Sequence, residues 1–570
     1  MNRFNFRIFS RFWGIAKLYW LGNEKKGALT LIGVLFVLLI AYTQLSVILT
    51  QTQGEIISSL SAKDVDRFWN TVKTFLIVLI LYVPLFAGFN YLQERVGNYW
   101  RRWLTHHFLN RYLSNRSFYE LGNFNTDIDN PDQRIAEDVR SFTQESLLFL
   151  LVIINSIFQV LAFSIVLWNI SSNLVFILIV YAIAGTLITV GIFGRKLVKI
   201  NFAQLRKEAD FRFGLVRIRE NSESIAFYQG ETQENNKLKL IFAEVFRNYN
   251  LLIIWRELYL GLFTNAYEFF PYIIPAIVVA PGVFSGEFEV GKVTEAQIAF
   301  ARVFASLNII VNRFQTLTAF AAGIERLADL EDYLNRHQQL TATKLPDRPT
   351  IDTIKQDQLG TRDLTLQTPN YQRTLVRDLT VNLNTGQGLL IMGASGCGKS
   401  SLLRAIAGLW NSGTGEIYRP PLSKMLFLPQ KPYMILGTLR SQLTYPHPSL
   451  EITDEEIARV LRVVNLADLA ERFGGLDLER DWAEVLSLGE QQRLAFARIL
   501  INQPQYAILD EATSALDVKN EEGLYSYLQQ SKTTYVSVGH RPTLIKYHHL
   551  VLEMTEGEHW QLKDASQLSS

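Results

Sequence analysis

The stretch Gly393-Ala-Ser-Gly-Cys-Gly-Lys-Ser400 has the glycine, lysine and serine spacing of a phosphate-binding loop. An apolar run, Leu389 to Met392, precedes it and predicts a strand, and a helix is expected from Ser400 onward. Backbone N–H groups and the positive helix end would then meet at the phosphates, with Lys399 on the β and γ groups and Ser400 on Mg²⁺. The pattern therefore predicts ATP and Mg²⁺ as ligands. The predicted nucleotide contacts of this loop are Gly393, Ala394, Ser395, Gly396, Cys397, Gly398, Lys399, Ser400 and Ser401.

A second chemical element follows at Tyr506-Ala-Ile-Leu-Asp-Glu511, where a buried apolar strand is predicted to end in two carboxylates. We expect Asp510 to act as a further magnesium ligand and Glu511 to polarise the water that attacks the γ phosphate. An apolar strand ending in Asp-Glu is weak evidence by itself. Its place after the phosphate loop and just before Ala512 to Asp517 makes it specific.

The elements that position these residues belong to a chain of 570 residues, which is too long for one ordinary hydrophobic core. Hydrophobic residues make up 48% and charged residues only 19%, a balance that suits a chain partly in lipid and partly in water. The net charge of +2 offers no concentrated basic face, which excludes nucleic acid as a partner. The single cysteine, Cys397, excludes an intrachain disulfide and a cysteine-rich metal site.

Apolar runs of roughly 20 residues, the length that crosses a bilayer as a helix, fill the first half of the chain. Charged and polar residues interrupt the last two of the six predicted spans, and such groups are costly in lipid unless they face a water-filled cavity. We therefore interpret these two spans as walls of a pathway, with a position at the membrane surface as the alternative for Arg256 and Glu257. The runs are Ala28 to Thr50, Thr74 to Leu92, Leu147 to Trp168, Leu174 to Gly194, Leu251 to Pro281 and Ala296 to about Ala322, the last containing Arg302, Asn308, Asn312, Arg313 and Gln315.

Basic residues follow the second and fourth spans, in Arg95 to Arg116 and Arg195 to Lys207, which predicts that these stretches and both chain ends are cytoplasmic. The whole segments between the second and third spans and between the fourth and fifth spans are too long for simple loops, so the membrane helices are expected to continue into the cytoplasm. Beyond the spans, short β-like runs alternate with helical stretches and predict a parallel sheet covered by helices. The predicted domains are an amphipathic interfacial helix at 1–26, a transmembrane domain at 27–334, a polar linker at 335–350 and a nucleotide-binding domain at 351–570.

Four short motifs resemble the ATP-binding-cassette (ABC) superfamily, and the resemblance covers nearly all of the chain. They are Leu486-Ser-Leu-Gly-Glu-Gln-Gln-Arg493, similar to the family signature, Gln430 of the Q-loop, Ser514 to Asp517 of the D-loop and the switch histidine His540. The resemblance implies a six-helix α-helical transmembrane domain fused to an α/β phosphate-loop ABC ATPase domain. It also implies that two cassettes pair, so that ATP lies between the phosphate loop of one and Ser487 and Gly489 of the other.

Because the chain has one cassette, the resemblance requires a second chain, for which we expect a second copy of itself. The expected catalytic residues are Glu511, His540 and Gln430, the expected metal ligands are Ser400, Gln430 and Asp510, and the further nucleotide contacts are Ser487, Gly489, Glu490, Asp517 and Tyr371.

Two positions depart from the family pattern. Leu488 replaces the first glycine of the Leu-Ser-Gly-Gly signature, which places a side chain where the backbone approaches nucleotide. Thr368-Pro369 stands where many relatives have Tyr-Pro, so that Tyr371 is either the displaced adenine-stacking aromatic or an ordinary loop residue.

Three segments resemble ABC subfamily D and the bacterial SbmA/BacA-like and cobalamin-transporting proteins: Asn130 to Asp138, Glu220 to Gly230 and Gly539 to Leu544. In such relatives the first two segments contact the cassettes and transmit their closure. We therefore predict ATP-driven transport by a homodimer in a bacterial cytoplasmic membrane, with cobalamin or another bulky hydrophilic molecule or peptide as cargo. The alternatives are an acyl-CoA or fatty-acid transporter and an ATP-gated channel or sensor. The direction of transport stays open.

Overall fold

The chain forms two compact units, Met1–Lys344 and Leu345–Ser570. The computed structural model describes residues 2–123, 128, 130–307, 314–342, 349–555 and 558–568. The first unit is helical, and the second combines β-sheets with helices.

Helices of 3 to 49 residues build the described part of the first unit. They are α1 (Asn2–Trp20), α2 (Lys25–Ser61), α3 (Val65–Leu113), α4 (Ser117–Asn123), α5 (Pro131–Gln133), α6 (Val139–Ile170), α7 (Ser172–Ile188), α8 (Arg195–Glu220), α9 (Ser222–Tyr228), α10 (Glu231–Ile253), α11 (Gly261–Phe284), α12 (Gly291–Leu307) and α13 (Phe314–Ala342), with wider π-helical turns at Arg134–Asp138, Thr189–Gly194 and Ile254–Leu260.

Five helical segments among the described residues are long and apolar enough to cross a membrane, and each contains one of the first five predicted spans. The protein is therefore an integral membrane protein. The predicted sixth span falls on the end of α12 and the start of α13. Its residues Asn308, Asn312 and Arg313 lie outside the described residues. The five segments are Lys25–Ser61, Val65–Asn123, Pro131–Ile170, Ser172–Gly194 and Glu231–Phe284.

The N-terminal helix α1 packs against protein along one face. Ile15 and Tyr19 are buried in a cluster that includes Trp100 of α3 and Leu330 of α13. On the same side Arg11 donates a hydrogen bond to Asp329 at 2.9 Å. At these residues, the apolar face of this amphipathic helix is covered by other helices of its own unit.

The predicted linker 335–350 begins as a helix, because α13 continues to Ala342. Residues 335–342 contain no glycine or proline, and nothing in them stops a helix that is already formed. Arg111 also donates a hydrogen bond to Asn335 at 2.8 Å, which ties this turn of α13 to α3. The linker at 335–350 stays a prediction, and its first eight residues are helical.

The described residues of the second unit form three sheets with helices around them. Its elements are β1 (Asp352–Lys355), β2 (Leu359–Gln367), β3 (Thr374–Leu383), β4 (Gly388–Gly393), α14 (Lys399–Ile406), β5 (Gly413–Arg419), β6 (Met425–Leu428), β7 (Gly437–Thr438), α15 (Leu439–Thr444), α16 (Asp454–Val463), α17 (Leu469–Arg472), β8 (Glu479–Arg480), α18 (Trp482–Val485), α19 (Leu488–Asn502), β9 (Tyr506–Asp510), α20 (Val518–Gln530), β10 (Thr534–Val538), β11 (Leu550–Met554) and β12 (Trp560–Asp564).

The largest sheet has the order β12-β11-β4-β10-β9-β6, in which β12 alone runs antiparallel to its neighbour. The other sheets are β1-β5-β2-β3 and the pair β7-β8. Because β6, β9, β10 and β4 are parallel neighbours, their carboxyl ends meet at one edge, where open α/β sheets bind ligands. The predicted strands at 388–392 and 506–509 are β4 and β9.

Candidate nucleotide-binding and hydrolysis site

The phosphate loop joins β4 to α14 in a conformation that glycine makes possible. Gly393 has φ of 148° and Gly398 has φ of 104°, a region that residues with side chains rarely adopt. A Cβ atom at Gly393 would lie 2.2 Å from the carbonyl oxygen of Met554, so the neighbouring strand β11 also excludes a side chain there. The loop thus wraps tightly around the start of α14.

Lys399, the first residue of α14, folds its side chain back over the loop. Its Nζ donates hydrogen bonds to the carbonyl oxygens of Gly393 at 2.9 Å and Ala394 at 2.8 Å. The residue is only 6% exposed. An ammonium group is therefore held inside the curve of the loop, where it can meet an anion.

Ser400 and Asp510 bring together the hydroxyl and the carboxylate predicted to hold Mg²⁺. Ser400 Oγ donates a hydrogen bond to Asp510 Oδ1 at 2.9 Å. Burial raises the pKa of the Asp510 carboxyl above its usual value, against the opposing effect of the Ser400 hydrogen bond, and neighbouring Glu511 raises it further. The nearby cations Arg404 and Lys399 act against this rise. The Ser400 hydroxyl and the Asp510 carboxylate offer oxygen atoms to a ligand. This oxygen donor set therefore suits a hard divalent cation such as Mg²⁺.

Glu511 lies just beyond the end of β9 with φ of 49°, unusual for a residue that is not glycine. Its backbone N–H donates to the carbonyl of Val538 at 3.2 Å, so the sharp turn is held against β10. Gln430 Nε2 donates a hydrogen bond to Glu511 Oε2 at 2.9 Å. His540 Nε2 lies 3.0 Å from Glu511 Oε1. The structure thus joins the three predicted catalytic residues from the ends of three neighbouring strands.

Ser487 is the N-cap of α19, the helix that carries the signature-like motif. The Ser487 hydroxyl accepts a hydrogen bond from the backbone N–H of Glu490, and Glu490 Oε2 accepts one from the backbone N–H of Ser487 at 2.9 Å. Arg472 donates to the other oxygen of Glu490 at 2.5 Å. Both oxygens of the Glu490 carboxylate are therefore engaged by protein groups, and its predicted contact with nucleotide stays a prediction.

The other predicted contacts, and Leu488, lie in separate parts of this unit. Asp517 is the N-cap of α20 and accepts a hydrogen bond from the backbone N–H of Asn520 at 2.7 Å. Tyr371 lies in the turn between β2 and β3 with φ of 59°. Leu488, the first residue of α19, is 45% exposed. Ser401 lies in the first turn of α14.

Gln492, in the third position after Gly489 on α19, was not among the predicted site residues. Its side chain amide bonds to residues that are 62, 22 and 23 positions away in the chain. A second glutamine precedes it immediately, so the local sequence carries no signal that separates the two.

Comparison with known proteins adds the family. A family model described as "ABC transporter transmembrane region 2" matches residues 15–284, and one described as "ABC transporter" matches residues 376–514. An "Uncharacterized ABC transporter ATP-binding protein" of Synechocystis is 47% identical over 93% of this chain and 81% of its own length. The chain belongs to the ABC transporter family. The transporter thus has a membrane domain fused to an ATP-binding ABC ATPase domain, and its ATPase is coupled to transport.

Two further relatives of the transporter belong to eukaryotes. The "ABC transporter D family member 2, chloroplastic" of Arabidopsis thaliana is 38% identical over 98% of the transporter and 88% of its own length. The "Lysosomal cobalamin transporter" of Homo sapiens is 31% identical over 98% of the transporter and 97% of its own length. The predicted resemblance to subfamily D is confirmed by these relatives.

Proposed function

We propose that two copies of the transporter form a homodimer that uses Mg²⁺-dependent ATP hydrolysis to move a bulky hydrophilic solute across a membrane. The observation that carries the proposal is the contact of one carboxylate, Glu511, with both Gln430 and His540 beside the phosphate loop. A protein that only bound ATP would need the loop but not this carboxylate and its two partners. The arrangement therefore supports turnover.

Each residue of the site has a role in this proposal. Lys399 exchanges its two carbonyl partners for the β and γ phosphate oxygens. Mg²⁺, held by Ser400, Gln430 and Asp510, would neutralise charge on the phosphates. Glu511 orients the attacking water and accepts its proton, a contribution typically of about 10²- to 10⁴-fold in rate. His540 holds Glu511 from the side opposite Gln430.

The second copy is proposed to supply the signature-like residues. Ser487 and Gly489 lie at the N-terminal end of α19, and a helix N-terminus attracts phosphate through its unpaired N–H groups and dipole. Since one chain contributes one phosphate loop and one such helix end, two sites are complete only in a pair. Leu488 exposes an apolar side chain at the same helix end, and we expect its bulk to weaken closure of the pair.

We further propose six spans with both chain ends in the cytoplasm of a bacterial cell, in its cytoplasmic membrane. The cytoplasmic segment around Glu223 forms α9, between the longer helices α8 and α10. It exposes two aromatic side chains, Phe227 at 79% and Tyr228 at 86%. Exposed aromatic residues at a chain reversal are suited to dock on another surface, which fits the coupling role proposed for this segment and for that around Asp132.

The polar residues of α12 support a hydrophilic cargo. Arg302 is exposed and makes no ion pair with any residue that the structure describes. It follows Ala296, where the predicted sixth span begins, by six residues, or about 9 Å of helix, which is about a third of a bilayer core of about 30 Å. A cation at that depth favours a water-filled pathway. The name of the human relative makes cobalamin one candidate, while the phosphates of an acyl-CoA offer the same arginine a partner.

Replacement of Glu511 by glutamine in protein reconstituted into lipid vesicles tests the hydrolytic assignment. We expect Glu511→Gln to lower ATP turnover by about 10²- to 10⁴-fold while ATP still binds. The matched control is Glu522→Gln, which removes an exposed carboxylate paired with Lys546 on the same unit and should leave turnover unchanged. Undiminished turnover in Glu511→Gln would refute the role of Glu511.

Stimulation of the ATPase by cobalamin, a cationic peptide and an acyl-CoA, tested side by side, identifies the cargo class. Stimulation by the acyl-CoA alone would replace the hydrophilic assignment by the lipid one. Flux measured with a non-hydrolysable ATP analogue tests the channel alternative, because sustained flux without hydrolysis would show a nucleotide-gated pore.

A further inference from the structure

Gln492 lies on α19 beneath the site, with a side chain that uses its acceptor and its donor group. Its Nε2 donates hydrogen bonds to the carbonyl oxygen of Gln430 at 3.0 Å and to Ser514 Oγ at 3.3 Å. Its Oε1 accepts a hydrogen bond from the backbone N–H of Ala515 at 2.9 Å. The residue is 1% exposed. One buried amide therefore joins α19, the loop after β6 and the loop after β9.

The two loops that Gln492 joins both form hydrogen bonds with Glu511. Gln430, whose backbone Gln492 holds, reaches the Glu511 carboxylate with its side chain at 2.9 Å. Ser514, on the other loop, donates its backbone N–H to the carbonyl of Glu511 at 3.0 Å. Gln492 thus fixes one partner of the carboxylate and the turn that continues from the same residue. A shift of its amide would move Glu511 relative to its partners.

α19 also packs closely against the loop after β9 at a second point. A Cβ atom at Gly489 would lie 3.2 Å from the carbonyl oxygen of Ala515, so the helix backbone approaches this loop closely. From the far side Arg541 donates hydrogen bonds to the carbonyl of Leu516 and to Glu521, both at 3.0 Å. The loop is therefore clamped between α19 and the residue that follows His540.

We propose that Gln492 is a positioning residue for ATP hydrolysis, which transmits a displacement of the signature helix α19 to Glu511 through the loops of Gln430 and Ser514. Ser487 begins the same helix five residues earlier, about 7.5 Å along its axis. When nucleotide binds at that helix end, the resulting displacement of α19 reaches the Glu511 carboxylate, which activates water. The proposal rests on the proposed function, in which Ser487 meets the nucleotide of the second copy, and it goes beyond that function by naming the residue that couples this contact to hydrolysis.

The test compares Gln492→Met with Gln491→Met in the full chain in lipid. Gln491 is the matched control, because it is also buried on α19 and donates two hydrogen bonds, but to the carbonyls of Ala483 and Leu486 ahead of the helix. We expect Gln492→Met to lower kcat by roughly 10- to 100-fold, the scale of a small misplacement in a catalytic site, with KM for ATP within about twofold. Gln491→Met should lower the thermal midpoint with kcat within about twofold.

A second variant covers the case in which Gln492→Met does not fold. Gln492→Asn keeps both the donor and the acceptor group of the amide on a side chain one methylene shorter, so that its hydrogen bonds to the two loops are weakened and not removed. We expect its kcat to lie between those of wild type and Gln492→Met. Equal kcat losses in the position 491 and 492 variants, or a change in KM with kcat intact, would overturn the proposal. Either result would leave the cargo screen and the dimer measurement unaffected.

Discussion

Glu490 provides a sharp test of how the signature helix is built. Replacing it by alanine removes the reciprocal cap with Ser487 and the ion pair with Arg472, whereas glutamine keeps the cap, because glutamine also serves at this helix position. Ser487 remains the N-cap in Glu490→Ala, and loss of the reciprocal hydrogen bond from the Ser487 N–H costs about 1 kcal/mol. Loss of a partly exposed ion pair costs about 0.5 kcal/mol. The two variants therefore separate the cap from the charge.

The expected results follow from these magnitudes. Glu490→Ala should lower the thermal midpoint of the ATPase domain by about 3–6 °C. If a free Ser487 costs the site about 1 kcal/mol, turnover at low ATP should fall about fivefold. Glu490→Gln should stay within about twofold of wild type. Burial opposes the charged form of Glu490, but hydrogen bonds from Arg472 and Ser487 outweigh it and lower the pKa of this carboxyl. The Glu490 carboxylate is therefore ionised at pH 7, and its contribution to stability is lost only as the pH falls through that lowered pKa.

Steady-state ATPase measurements across a range of ATP concentrations, with thermal unfolding on the same samples, provide the assay. Glu484→Ala, in the preceding helix α18, is the control for the loss of an exposed carboxylate and should match wild type. Equal impairment of the glutamine and alanine variants would show that the charge of Glu490, and not its cap, is needed. Wild-type behaviour of Glu490→Ala would refute the reasoning altogether.

Two further predictions concern stability. Burial lowers the pKa of His548 to about 4, and its Nδ1 contacts the carbonyl of Leu544 at 2.8 Å, so unfolding takes up a proton below pH 6.5. Stability should fall by about 2 kcal/mol from pH 7 to pH 5, as followed by thermal unfolding, and a His548→Phe variant with the same pH slope would contradict this. Gly291→Ala should cost about 1–3 kcal/mol in detergent because its Cβ would lie 1.9 Å from the carbonyl oxygen of Gly54. Gly33→Ala, with open space around it, should be neutral or stabilising, and equal midpoints for both alanine variants would refute the close packing.

The strands and the phosphate loop could be predicted from sequence because their signals are local. An apolar run before a glycine-rich turn determines both the strand β4 and the loop after it. Asp510 and Glu511 were placed correctly at the end of a strand for the same reason. The contact of Gln430 and His540 with Glu511, by contrast, depends on the order of β6, β9 and β10 in the sheet, which the residue pattern alone does not contain.

Other features depend on tertiary contacts and could not be predicted. α13 continues to Ala342 within the predicted linker, and Arg111 of α3 donates a hydrogen bond to Asn335 there. Glu490 was predicted to contact nucleotide from its place in the motif, and that contact stays a prediction, whereas its hydrogen bond with Arg472, 18 residues away, depends on tertiary packing. The burial of Gln492 and its three partners depends on how two distant loops pack on α19.

The central claim is that two copies of the chain close on Mg·ATP through their ATPase domains. The direct measurement is the distance between spin labels at Glu484→Cys in the two copies, in the Glu511→Gln background with Cys397→Ser, which removes the native cysteine. We predict an intermolecular distance that shortens and narrows when Mg·ATP is added to the protein in lipid. The absence of any distance between copies at saturating nucleotide, with ATP bound to each chain, would contradict the account.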